Sequence, residues 1–162
     1  MNNFNAAFDE VIGLEGGYSN DPNDAGGETN WGIAKRWHPE VDIKNLTKTE
    51  AKDIYWLKYW NPLKLALVIN SSVTTEIFEQ LINMGRYQAI LHVQQSLNLL
   101  GLAVSIDGNL GPQTTKALNN LSAVKREAFL KCMNGYQFIK YLVIITNDKT
   151  QKKFFVGWLR RI

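Results

Sequence analysis

The sequence predicts a mainly α fold in two helical lobes, with a small loop or hairpin near its start. Three observations support this. Apolar residues recur at helical spacing along most of the 162 residues. Residues 18–32 interrupt that pattern with a dense run of Gly, Asn, Asp and Ser, which form turns. The charge balance changes sign near Gly85. Residues 1–85 hold 7 Lys and Arg against 12 Asp and Glu, and residues 86–162 hold 11 against 3. The halves, −5 and +8, return the net +3. The expected division is therefore 1–85 and 86–162.

Each element has its own local reason. Phe4, Ala7, Phe8, Val11, Ile12 and Glu15 follow an i, i+3, i+4 stripe, and Gly16-Gly17 ends it. Thr47-Lys48-Thr49-Glu50 is a capping-box pattern opening a helix through Ile54, Tyr55 and Trp60 that stops before Pro62. Thr75–Met84 places Ile77, Phe78, Leu81 and Ile82 on one face, with Gly85 after it. Ala89, Ile90, Val93, Leu97 and Leu100 mark the next helix, stopped by Gly101. Asp107-Gly108 is a turn, and Gly111-Pro112 puts a proline where a first helical turn accepts it. A long helix is expected over 122–145, and a last short one around Phe154, Phe155, Trp158 and Leu159.

Composition excludes several classes. No apolar run approaches the roughly 20 residues of a membrane helix. The first ten residues carry no Lys or Arg, so the start lacks the basic region of a signal peptide. Cys132 is the only cysteine, which excludes an internal disulfide and a thiolate-rich zinc site, and it reads as a small buried apolar residue. His38 and His92 lack ligand spacing, so no metal and no cofactor are expected. Asp21–Gly32 resembles a calcium loop until its twelfth position, where Gly32 replaces the required Glu. The cations Lys149, Lys152, Lys153, Arg160 and Arg161 alternate with Phe154, Phe155 and Trp158 as on a helix with a core face and a wet face; no nucleic acid is expected.

Glu15 stands out chemically. At the end of an apolar stripe, a carboxylate is partly desolvated and faces the negative end of the helix dipole. Both effects favour the protonated form that a general acid needs. A frayed helix end would instead leave it in water. Asp24 follows within Asp24-Ala25-Gly26-Gly27, and Thr29 follows that. A second carboxylate on a returning loop suits inverting glycoside hydrolysis, in which the pair stands ~6.5–9.5 Å apart around a water. Asp24 as a turn former and Thr29 as a strand residue are the alternatives.

Glu15-Gly16-Gly17-Tyr18 and Asp24-Ala25-Gly26-Gly27-Glu28-Thr29-Asn30-Trp31-Gly32-Ile33 together resemble the opening signature of the glycoside hydrolase family 108 muramidases. Tyr55–Pro62 and Asn83-Met84-Gly85 resemble later blocks of that family. Leu97-Asn98, Asp107–Thr114 and Phe155–Arg161 are similar to its companion peptidoglycan-binding region. The resemblance implies a lysozyme-like fold and hydrolysis of the β-1,4 bond between N-acetylmuramic acid and N-acetylglucosamine. It implies Glu15 as catalytic acid, with Asp24 and Thr29 handling water. No role attaches to Glu79, where relatives commonly carry Asp nearby. Lytic transglycosylation and a non-catalytic wall-binding module are the rival readings.

Aromatic residues crowd the first 60 positions. Trp56, Tyr59 and Trp60 are expected in the core, and Tyr18 and Trp31 against sugar faces, with Asn30 and Asn83 as polar partners of the glycan. The expected partner is bacterial peptidoglycan. The expected state is a monomer made in the cytoplasm and acting in the periplasm or cell wall. By resemblance to phage and prophage endolysins, a holin-type membrane partner is expected for export.

Overall fold

The computed structural model describes residues 2–12, 17–20 and 27–162. Seven α-helices and one two-stranded hairpin are found among them. They are α1 (Asn2–Val11), β1 (Thr29–Asn30), β2 (Ile33–Ala34), α2 (Lys48–Tyr55), α3 (Ser71–Met84), α4 (Arg86–Leu99), α5 (Pro112–Asn119), α6 (Ala123–Asn147) and α7 (Phe155–Trp158). The chain divides into two compact units, Met1–Phe78 and Glu79–Ile162. The start of α3 belongs to the first and its end to the second.

The first unit is built around aromatic rings. Phe4 and Phe8 of α1 are buried, as the stripe requires. Phe4 lies edge-on to Trp56 and Trp60, with centroids 5.1 Å away in both cases. Phe78 meets Trp60 at 5.5 Å and Tyr55 at 5.9 Å, again edge-on. Such tilted pairs align positive ring edges with negative faces, worth about 0.5–1.5 kcal/mol each beyond area burial. Trp60 is in the core as expected, while Trp56 and Tyr59 are half-buried at its margin.

The capping box is present. Thr47 Oγ1 accepts the Glu50 N–H, and the Glu50 carboxylate accepts the Thr47 N–H at 2.9 Å. After Tyr55 the backbone widens into a π turn over Trp56–Trp60, closed by the Asn61 N–H on the Trp56 carbonyl at 2.9 Å.

One boundary differs from expectation, while the stretch leading to the expected end of α1 at Gly16-Gly17, residues 13–16, lies outside the described ones. The described helix α1 reaches Val11, with Ile12 closing a last turn on Phe8. α3 begins at Ser71, four residues before Thr75. Its start is set by Asn70, whose Oδ1 accepts the Val73 N–H at 3.1 Å and the Ser72 hydroxyl at 2.7 Å. This is the local side-chain capping that Asn favours.

The second unit packs α4 and α6 around Ile90, Val93, Leu97, Phe129 and Met133. Ser122 caps α6, and Pro112 occupies the first turn of α5. A polar chain runs through this core. Gln88 Nε2 donates to His92 Nε2 at 2.8 Å, His92 Nδ1 donates to Gln80 Oε1 at 2.7 Å, and Gln80 Nε2 donates to the Met133 carbonyl at 2.9 Å. One tautomer of His92 satisfies every link. Cys132 is half-buried, not fully buried as its composition suggested.

Candidate functional site

The hairpin follows α1 in the chain and is held by backbone hydrogen bonds. Ser19 and Thr29 exchange both backbone hydrogen bonds at 2.8 Å, and Thr29 pairs with Ala34 and Asn30 with Ile33 across the turn. The two turn residues both have positive φ, +51° at Trp31 and +73° at Gly32. This is the handedness that matches strand twist in a two-residue hairpin. Glycine is required at the second position. A Cβ on Gly32 would lie 2.7 Å from the Tyr55 hydroxyl oxygen.

Tryptophan in a left-handed conformation costs roughly 1–2 kcal/mol and needs anchoring. The anchors are visible. Trp31 Nε1 donates to the Leu46 carbonyl at 3.2 Å. Asn30 Nδ2 donates to the Ile43 and Leu46 carbonyls at 3.1 and 3.2 Å. The Tyr55 hydroxyl donates to the Trp31 carbonyl at 3.3 Å. The indole is therefore held at the hairpin tip, half-buried.

Tyr18, Thr29, Asn30 and Trp31 all belong to this hairpin region. Tyr18 is 43% exposed, and its hydroxyl donates to Glu28 Oε1 at 2.7 Å. That bond, with slight desolvation, raises the phenol above its ordinary value of 10.0, so it stays protonated. Thr29 is half-buried, and its hydroxyl donates to the Gly27 carbonyl at 3.2 Å, leaving the oxygen lone pairs as acceptors. Asn30 is buried, with both amide hydrogens on backbone carbonyls. Glu15 and Asp24 lie outside the described residues.

Asn83 belongs to the second unit, on α3. Its Nδ2 donates to the Glu79 carboxylate and to the Glu79 carbonyl, and its Oδ1 accepts from Arg161 Nη1. Glu79 is itself buried and accepts from Gln137 Nε2 at 3.0 and 3.1 Å. The polar residue near Glu79 thus participates in a buried network that sequence spacing did not reveal.

A second missed feature concerns the Asp107-Gly108-Asn109 turn. Gln94 Oε1 accepts the N–H groups of Asp107 and Gly108 at 3.0 and 2.9 Å. Its Nε2 donates to Asp107 Oδ1 at 2.7 Å and to the Asn109 carbonyl at 2.9 Å. One turn further along α4, Asn98 brackets Val104 through both its N–H and its carbonyl. The available signal was the i, i+4 spacing of two amides beside the apolar stripe of α4.

Among the described residues, no group of three His, Cys, Asp or Glu is placed to hold a metal ion. No described helix is long and apolar enough to cross a membrane.

Comparison with known proteins connects these features. Residues 8–85 match the family described as Glycosyl hydrolase 108, and residues 88–162 match one described as Predicted Peptidoglycan domain. The chain is a glycosyl hydrolase 108 protein with a peptidoglycan domain. The two matches leave out only residues 1–7 and 86–87. A solved structure, that of Brucella abortus SagA, is similar to this glycosyl hydrolase 108 chain with a TM-score of 0.76 and 27% identity. The match covers 99% of this chain and 89% of that one. The mainly helical fold is shared with it. No curated protein sequence matches the chain. The activity that accompanies this pair of domains is peptidoglycan hydrolysis, with the cell wall as the place of action.

Proposed function

We propose that this peptidoglycan hydrolase is an N-acetylmuramidase cleaving the β-1,4 bond between N-acetylmuramic acid and N-acetylglucosamine, with Glu15 as general acid. The observation that carries the reading is the family match over residues 8–85, which contains Glu15-Gly16-Gly17-Tyr18 and Asp24–Ile33 whole. Glu15 protonates the glycosidic oxygen. Asp24 and the acceptor lone pairs of Thr29 hold a water on the opposite face of the sugar, which inverts the anomeric carbon. Tyr18 and Trp31 supply flat faces for the C–H surfaces of sugar rings. Asn30 contributes by holding the hairpin tip, because its amide hydrogens are engaged by backbone carbonyls. Asn83, on α3, is a proposed polar partner of the glycan.

No cofactor takes part. The protein works as a monomer, acts in the periplasm or wall, and depends on a holin-type membrane partner for passage.

The test is digestion of purified sacculi followed by mass analysis of the sugar termini. Hydrolysis leaves reducing ends, whereas transglycosylation leaves 1,6-anhydro ends lighter by one water. Proton NMR of the first product distinguishes inversion, which gives the α anomer, from retention. Glu15→Gln should abolish turbidity clearing while the protein stays folded. Anhydro ends, an initial β anomer or an active Glu15→Gln would each reject the corresponding part of the mechanism.

A further inference from the structure

The last turns of α6 are uncharged and mostly apolar. No charged residue lies between Lys140 and Asp148. The inner side of this stretch is accounted for: Gln137 and Tyr141 are buried, and Tyr141 stacks on Trp158 at 5.1 Å. The outer side is not. Phe138, Ile139, Leu142 and Val143 recur at i, i+1, i+4, i+5 and are 38–56% exposed, where an ordinary surface helix is polar. Phe155 meets Phe138 at 6.3 Å, so the C-terminal segment adjoins this face and adds Val156, which is 69% exposed.

Exposed cations lie in the C-terminal segment that adjoins this face through Phe155. Lys149, Lys152, Lys153 and Arg160 are all exposed, and Lys153 lies over the Phe154 ring at 4.7 Å. The one acid of the segment, Asp148, accepts hydrogen bonds from Thr150 and Gln151 within its own turn.

We propose that the outer face of α6 and the C-terminal segment dock the second unit onto an anionic lipid bilayer, lying on it without spanning it. Aliphatic and aromatic side chains beside several Lys and Arg are the pattern of an interfacial helix, burying the former at the headgroup boundary and pairing the latter with lipid phosphates. Other occupants fit less well. A glycan prefers flat rings with polar partners, and Ile139, Leu142, Val143 and Val156 are aliphatic. A second copy in a two-fold pair would bring the same cations against one another.

The experiment is cosedimentation of the full chain with vesicles rich in phosphatidylglycerol and with pure phosphatidylcholine. Two double variants are compared, Ile139→Gln with Val143→Gln and Lys152→Glu with Lys153→Glu. All four positions are exposed, and circular dichroism checks the fold. The parent should pellet with the anionic vesicles only and lose binding as salt rises. Each double variant should lower the partition coefficient at least about tenfold. The proposal is overturned if the parent ignores anionic vesicles or if folded charge variants bind like the parent. It is equally overturned if the glutamine variant abolishes a concentration-dependent dimer or sacculus binding while vesicle binding persists.

Discussion

Replacing Gln94 by Leu tests whether one buried amide organises the turn that opens the way to α5. Leucine nearly preserves the volume, so no large cavity forms. It removes four hydrogen bonds, to the Asp107 N–H and carboxylate, the Gly108 N–H and the Asn109 carbonyl. Water replaces the bond to the exposed Asp107 carboxylate, and that one is left out of the reckoning. The other three involve backbone, and the Gly108 residue is buried. At about 1 kcal/mol net for each, the variant should lose about 3 kcal/mol, against a typical total of about 5–15. In a unit of this size that lowers the melting midpoint by roughly 12–24 °C. Urea unfolding followed by far-ultraviolet circular dichroism measures the loss. Gln94→Glu separates the components. Its carboxylate still accepts from both N–H groups but opposes Asp107, whose acidity the Gln94 amide enhances as the leading cause. It should fall between parent and Gln94→Leu and recover part of the loss on mild acidification. A Gln94→Leu protein melting within about 2 °C of the parent would show that water satisfies this turn as well as the amide does.

Other expected outcomes follow from single contacts. Burial, with Lys140 nearby, lowers His92 from 6.5 to about 4, so it is neutral in the fold while the unfolded chain protonates first as pH falls. Its contribution is intact above pH 6.5 and is lost between there and pH 4, by about 3 kcal/mol in the limit; urea melts at pH 7 and pH 4.5 should show a drop that His92→Gln flattens. Gly32→Ala forces a Cβ against Tyr55 at a positive φ and should cost several kcal/mol, read as a lower urea midpoint, together with reduced sacculus digestion. Thr29→Ala removes a hydroxyl from the proposed water site and should slow sacculus digestion by roughly tenfold or more at unchanged melting temperature, less than Glu15→Gln does. Thr47→Ala removes the cap of α2 and should cost about 1 kcal/mol in a urea melt.

Much of this protein is determined by neighbours along the chain. A capping box, a proline in a first turn and an apolar stripe act within four residues, so Thr47, Pro112 and the α1 stripe were legible from the sequence alone. Asn70 was legible in principle, since capping is local, but the apolar periodicity began later and hid it. The hairpin was foreseeable as a turn-rich loop, and the roles of its residues were not. Asn30 holds backbone carbonyls of Ile43 and Leu46, and Trp31 takes a left-handed conformation that only Leu46 and Tyr55 make tolerable. The same holds for Gln94 under its turn, Gln137 on Glu79, Arg161 on Asn83, and the aliphatic outer face of α6. Periodicity identifies a stripe, but whether a polar side chain meets a partner or water depends on groups brought close by packing, often 15 or more residues away. Local propensity therefore wrote the helices, and long-range burial decided which amides became struts and which apolar residues were left facing out.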